Sequence, residues 1–392
     1  MIFYTLRYYL KRTERTGKHE EKLLKERLDF IQKRIYSSCM GFVLRRIIFL
    51  SFLVIFIAFL NFGNIYGQET ETKKYSLSLS TMFGMLVGEA DEILYKYNTG
   101  NQYVSQLIWD MKPSVYVGIS AEYGPSSPFS ISGFTSEASL KFGLPMKIGK
   151  MEDKDWKYTD NDDLTHYSVH DAFSINMILG DVSMGYAWNL TDFFTLSLSG
   201  EISFMYLFWS AENGYFQHLN TYPDGTVAPG QTWSDSIPKQ YLNGPVIQYN
   251  QIWLAFSPGV SMKAKFNSRF TVTGHLSYSP LIYGADKDDH LLPYVIYNPI
   301  LMEYERYEGK RHSGQFFGGH YVNGGVNFNF TFGNLDITLS ASYKYITELR
   351  GVTFFQNIYI MQSSSNPVYR NIYDGGMGYS ALDLGLSAKF NF

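Results

Sequence analysis

The sequence predicts an all-β fold, a ten-stranded antiparallel transmembrane β-barrel with long extracellular loops. Three observations lead there. Aromatic residues make up 17% of the 392-residue chain and charged residues only 18%, against the quarter usual in soluble domains. That balance argues against intrinsic disorder and against a highly charged soluble surface. Only one apolar run approaches membrane-spanning length, which excludes a bundle of spanning helices. The third observation is periodicity. Near the end of the chain Leu382, Leu384, Leu386, Ala388, Phe390 and Phe392 alternate with Asp383, Gly385, Ser387, Lys389 and Asn391, an order that no helix sorts onto two clean faces.

The chain opens on a basic segment. Residues 1–46 hold twelve Lys/Arg against five Asp/Glu, net +7, while 47–392 carry net −10. From Met40 two arginines precede a fourteen-residue apolar core, Ile47 to Leu60, followed by small and polar residues ending near Gly67. This is the layout of a secretory signal peptide, residues 40–67, cut just after Gly67; an uncleaved N-terminal anchor is the alternative. Residues 1–39 read as an upstream extension, consistent with a misplaced start codon. The single cysteine, Cys39, lies there, so the exported part, 68–392, can form no disulfide.

After Gly67 alternating stretches recur at Tyr75–Val87, Leu140–Ile148, Phe173–Leu179, Phe193–Leu198, Phe270–Tyr278 and Val326–Phe332. Their polar face is too polar for a packed core but suits a wet barrel interior. Tight turns at Gly124–Pro128, Asn189–Asp192, Asn267–Ser268 and Gly333–Asp336 alternate with long connections near 88–101, 153–170, 212–245, 286–310 and 354–375. Four short turns and five long loops give ten strands, the layout of outer-membrane barrels; a β-sandwich would show shorter strands and more even loops. Strands of roughly twenty residues at about 3.3 Å each, tilted by about 40°, stand about 50 Å tall against an apolar band of about 25 Å. The loop end therefore projects into water.

Gly88–Tyr95 with Val104–Trp109, Met151–Trp156, Thr165–Asp171 and Asp286–His290 are four loop segments that, in this order, resemble the omptin family of outer-membrane endoproteases. The resemblance implies a catalytic aspartate pair at Asp153 and Asp155, an aspartate–histidine dyad at Asp288 and His290, and a substrate-binding pocket for basic side chains at Glu92 and Asp286. It also implies peptide bonds as substrate, cut after Arg or Lys, with the site facing the exterior of a diderm cell. The expected partners are cationic peptides or proteins and outer-membrane lipid, with no nucleic acid; the sequence sets no oligomeric state.

Side-chain alternation tests part of this. Leu77, Leu79, Phe83 and Met85 face out on strand one, so Glu92 faces in. Leu140, Phe142, Leu144, Met146 and Ile148 read as lipid-facing on strand three, turning Asp153 and Asp155 inward. On strand four, outward Phe173, Ile175 and Met177 turn His166, Ser168 and His170 inward. Strand seven disagrees: with Phe270, Val272, Leu276 and Tyr278 outward, strict parity sends Asp286, Asp288 and His290 outward too. A one-residue bulge at Pro280, which cannot donate to a ladder, would correct this.

The chemistry these residue types offer is hydrolysis by activated water. An imidazole can take the proton, an adjacent carboxylate favours the imidazolium, and two close carboxylates share a proton and titrate as a unit. An acidic rim of Asp160, Asp162, Asp163 and Asp289 would draw in cationic peptides.

Other readings are simpler. Acidic residues in such loops are most often solvated. A calcium loop from Asp286 is disfavoured because its sixth position is Leu291 and its twelfth Tyr297. Zinc on His166, His170 and His290 lacks a compact ligand motif, and a Ser168–His170 pair would sit about 7 Å apart. A non-enzymatic adhesin or porin-like barrel with a decayed site is the alternative function. No cofactor is expected. Lipopolysaccharide is the activator the resemblance suggests, but its binding set is not evident around Glu201–Tyr206, where Ser203 and Met205 stand. His166 and Ile108 replace residues that are acidic in the family and bear on the preference after the scissile bond.

Overall fold

The computed structural model describes residues 75–96, 102–156, 163–219, 231–292, 294–298, 303–307, 309–358 and 369–391, with the backbone alone for 294–298, 303–307, 356–358 and 369–373. The expected upstream extension (1–39) and signal peptide (40–67), with Cys39, and the rim residues Asp160 and Asp162 lie outside them. The chain divides between Thr72 and Lys73, and all the described residues belong to the second part.

Ten long strands run in sequence: β1 (Tyr75–Tyr95), β2 (Tyr103–Pro125), β3 (Gly133–Gly143 with Met146–Asp155), β4 (His166–Thr191), β5 (Phe194–His218), β6 (Pro245–Lys265), β7 (Phe270–Ser279 with Ile282–His290), β8 (Gly309–Gly318 with Tyr321–Phe332), β9 (Leu335–Ile358) and β10 (Tyr369–Asn391). Each pairs antiparallel with the next, and β10 pairs with β1. The pairings therefore close a ring, which leaves no long unpaired edge among the described residues. A two-residue strand, Gln240–Tyr241, lies beside β5, and Tyr294–Asn298 pairs with Glu303–Tyr307 between β7 and β8.

The outer face carries the expected belt. Leu79, Phe83, Ile119, Phe142, Ile175 and Leu386 project outward. On the loop side of β2, β3 and β4 the belt stops at the ion pairs Lys112–Asp110 and Lys147–Asp171–Lys150; on the turn side Tyr186, Trp188 and Phe193 supply aromatic residues suited to a membrane interface.

Inside, the walls are bridged rather than separated by an open channel. Lys344 of β9 meets Asp181 of β4, five strands away around the ring, at 3.0 Å. Lys141 of β3 meets Asp383 of β10 at 2.5 Å, and Ser203 of β5 meets Tyr321 of β8 at 3.1 Å. Ser203 and Met205 thus face the lumen, and neither could have contacted lipid. Higher up, Trp109, Trp209 and Tyr249 from β2, β5 and β6 stack with ring centroids 5.7–5.9 Å apart and floor the mouth.

Alternation survives only in part, and the departures position the site. On β1 it holds from Leu79 to Glu92. On β7, Ser277 and Ser279 face in, and so do Ile282, Gly284 and Asp286. Against β6, Ser277 pairs with Gly259 and Ile282 with Ala255, so β7 holds one extra residue at Pro280–Leu281. This is the bulge that the sequence required, and it turns Asp286, Asp288 and His290 inward. Three outward assignments were wrong, the first being Met146, which packs against the inner core. Ile148 is fully buried, and so is Met177. On β3, parity reverses between Leu144 and Ile148 and reverses again at the bulge between Lys147 and Gly149, where Gly149 takes φ 141°. The two slips cancel, so Asp153 and Asp155 face in as expected but not by unbroken alternation. On β4 the irregularity between Ser174 and Asn176 does the same for Ser168 and His170.

Candidate active site

The residues expected in loops stand on strands. β1, β3, β4 and β7 run past the belt to Tyr95, Asp155, His166 and His290, because above the membrane both faces of a strand can be wet and alternation no longer marks it.

Asp288 and His290 occupy one inward row of β7, with Nε2 of His290 2.6 Å from Oδ2 of Asp288. That is ion-pair distance. With Nε2 turned to the carboxylate, Nδ1 is left to accept a proton. His312, the cross-strand neighbour of Asp288 on β8, brings Nδ1 to 4.0 Å from the same oxygen. On β3, Asp153 and Asp155 have carboxylate oxygens within 4.8 Å of each other and of a ring nitrogen of His166. Ser105 donates to Asp153 at 3.4 Å, and Thr165 donates to the Asp155 carbonyl at 3.0 Å. Asp286 is held at both oxygens: Gly314 N–H donates to Oδ1 at 2.8 Å and Tyr249 to Oδ2 at 3.3 Å. Glu92 differs. It is 2% exposed, and neither of its oxygens has a hydrogen-bond partner among the described residues.

The electrostatics follow from this crowding. Burial, then the carboxylates of Asp288, Asp286 and Asp153, push Glu92 well above the usual carboxylate range. Burial pushes Asp286 up to about 7, opposed by the Gly314 N–H, raised further by Asp288 and lowered by the Tyr249 hydroxyl. For His290 burial disfavours the charged ring, but Asp288 and then Asp153 outweigh it, and the imidazolium persists above its ordinary range.

Other candidates fall away. His170 is buried with Nδ1 held by the Asn213 carbonyl, and it belongs to neither group of neighbouring metal-capable side chains found among the described residues, Asp288/His290/His312 and Asp153/Asp155/His166. The zinc set of His166, His170 and His290 is therefore not assembled. Asp286–His290 is a strand, not a calcium loop. Asp289 of the acidic rim is taken by Arg311 at 2.5 Å and Lys287 at 2.6 Å, so it adds little field for a cationic peptide. Ile108 stands on the opposite face of β2 from buried Leu107 and Trp109, away from the site. His166 does border it, its ring stacked on Phe216 at 5.8 Å and near His218 at 6.4 Å.

Sequence reading missed His312, Tyr249, Gly314 and the Trp109–Trp209 stack. His312 and Gly314 alternate with Phe316 on the inner face of β8, a pattern visible in the sequence, but only the register against β7 shows what they meet.

A closed barrel whose outer belt is apolar and whose mouth gathers carboxylates and histidines is an outer-membrane barrel with a candidate hydrolytic site. The omptin family profile matches residues 73–392, and the chain belongs to that family: it is an outer-membrane protease of β-barrel fold. Among solved structures it is similar to the outer membrane protease OmpT from Escherichia coli, at 17% identity and TM-score 0.65, over 83% of this chain and 99% of that one. That likeness shows the fold. The outer membrane protein OprG from Pseudomonas aeruginosa shares 9% identity over 80% of this chain and 95% of its own, at TM-score 0.31, too low to carry an argument. No curated protein matches the chain.

Proposed function

We propose that the protein is an endopeptidase that cuts after Arg or Lys at the cell exterior, using a water activated by the Asp288–His290 dyad. The observation that carries this reading is the convergence, in one mouth, of that dyad, the Asp153/Asp155 pair and the unpaired Glu92. In the reaction His290 Nδ1 takes the water proton while Asp288 steadies the imidazolium. Asp153 and Asp155 hold the water and stabilise the tetrahedral intermediate, sharing a proton as a coupled pair. His290 then returns its proton to the leaving amine. The catalytic type is thus aspartyl, without a cofactor in the chemistry. Glu92 and Asp286 receive the guanidinium or ammonium of the residue before the cut.

Lipopolysaccharide as an activator is part of the same proposal, with its contacts on the outer wall. A porin-like role is disfavoured by the ion pairs and stacked rings that bridge the lumen. The test is cleavage of paired peptides differing only in Arg or Ala before one bond. Arg should be strongly preferred, and Asp286→Ala or Glu92→Ala should weaken that preference in a barrel that still folds. Unchanged preference in both variants would place the pocket elsewhere.

A further inference from the structure

Beneath the acidic pocket runs a chain of hydrogen bonds whose direction is fixed by chemistry. Trp253 Nε1 donates to Gln251 Oε1 at 3.0 Å. An indole N–H can only donate, so this contact sets which end of the Gln251 amide is oxygen. Gln251 Nε2 then donates to Tyr249 Oη at 2.9 Å and to the backbone carbonyl of Asp91 at 3.0 Å. Asp91 lies on β1, five strands from β6 around the ring, so Gln251 ties opposite walls together. With the Gln251 amide donating to it, Tyr249 turns its one proton to Asp286 Oδ2 at 3.3 Å. Tyr249 and Gln251 are fully buried, and the Tyr249 ring is fixed by stacking on Trp109 and Trp209.

We propose that Tyr249 and Gln251 are positioning residues of the basic-side-chain pocket: the one-way chain Trp253 to Gln251 to Tyr249 to Asp286 keeps Asp286 an aimed carboxylate ready for a guanidinium or ammonium group. Gly314 completes the cradle. A Cβ there would lie 2.6 Å from Asp286 Oδ1 and closer still to the Phe316 ring, so the backbone N–H reaches the carboxylate only because glycine stands at that position. The two pocket acids are thereby unequal. Asp286 receives two donors, whereas Glu92 receives none among the described residues. The charged and titratable groups around Asp286 are Asp288 on its own strand, Glu92 on β1 and Tyr249 on β6, with His312 beside Asp288 on β8. Burial and the surrounding carboxylates push the Tyr249 hydroxyl well above its ordinary range, so it stays a donor throughout.

The inference rests on the basic-pocket reading, and the experiment separates the two. With an Arg-containing peptide, Tyr249→Phe keeps the stacked ring and removes only the donor. KM should rise roughly tenfold, as for one hydrogen bond to a charged group, with the loss falling on KM more than on kcat. The acid limb of the kcat/KM profile should move to higher pH, because Asp286 loses a bond that favours its charged form; a purely structural role would leave that limb in place. Trp253→Phe, at the head of the chain, should move it the same way by less, and serves if Tyr249→Phe does not fold. If Asp286→Asn abolishes the preference for Arg while the KM and pH profile of the folded relay variant match the parent, the relay is overturned and the pocket stands. If Asp286→Asn leaves the preference intact, the pocket reading itself fails.

Discussion

Replacing Glu92 with glutamine should make the barrel more stable at neutral pH while making it a poorer protease. The wild-type carboxyl is 2% exposed, unpartnered among the described residues and surrounded by Asp288, Asp286 and Asp153. Its folded pKa therefore lies above its unfolded one, and the protein is progressively destabilised as pH rises from the unfolded value towards the folded one. Within that window the difference grows by about 1.4 kcal/mol per pH unit. An amide of the same shape carries no charge to desolvate, so the gain at pH 8 should be about 1.4 kcal/mol for each unit by which the folded pKa of Glu92 exceeds the unfolded one. Tryptophan-monitored urea unfolding in detergent at pH 4 and pH 8 measures it. The variant should match the parent at pH 4 and exceed it at pH 8, with cleavage after Arg reduced. Equal stability at both pH values, or a less stable variant at pH 8, would refute the claim that Glu92 is held in a hostile site for binding.

Three further outcomes follow from the geometry. Because the imidazolium of His290 is favoured and Asp286 titrates near 7, kcat/KM for Arg peptides should rise from pH 6 to 8; a profile that falls over that range would contradict the neutral-base assignment. Gly314→Ala should displace Asp286 and raise KM at least tenfold while the barrel still shows its heat-dependent gel shift, and unchanged kinetics would show that the added methyl is accommodated without moving the carboxylate. Reconstituted in planar bilayers, the protein should give no stable conductance, and Lys344→Ala should loosen the lumen towards leak; a steady porin-like current in the parent would revive the transport reading.

The fold was legible because the belt imposes alternation over long runs, and because Asn189–Asp192 and Gly333–Asp336 are tight turns facing long loops. The inward aim of Glu92 could be read by counting along β1. That of Asp153 and Asp155 came out right through two cancelling slips around Ile148, which no count reveals, since a bulge depends on how neighbouring strands pack. Pro280 was readable as a bulge because proline lacks the ladder donor, whereas Ile148 and Gly149 carry no comparable mark. Asp289 looked like a free rim acid until Arg311 was placed opposite it. The relay through Gln251 joins opposite walls of the ring, and sequence spacing holds no trace of such a contact.

Turnover of a single-Arg peptide by His290→Ala, beside the parent enzyme with and without chelator, tests the account most directly. General-base removal should cost at least about a hundredfold in kcat, with folding intact on gels and the parent unaffected by chelator. Full turnover in His290→Ala would contradict the dyad, and complete loss of the parent's activity with chelator would instead point to a metal on Asp288, His290 and His312.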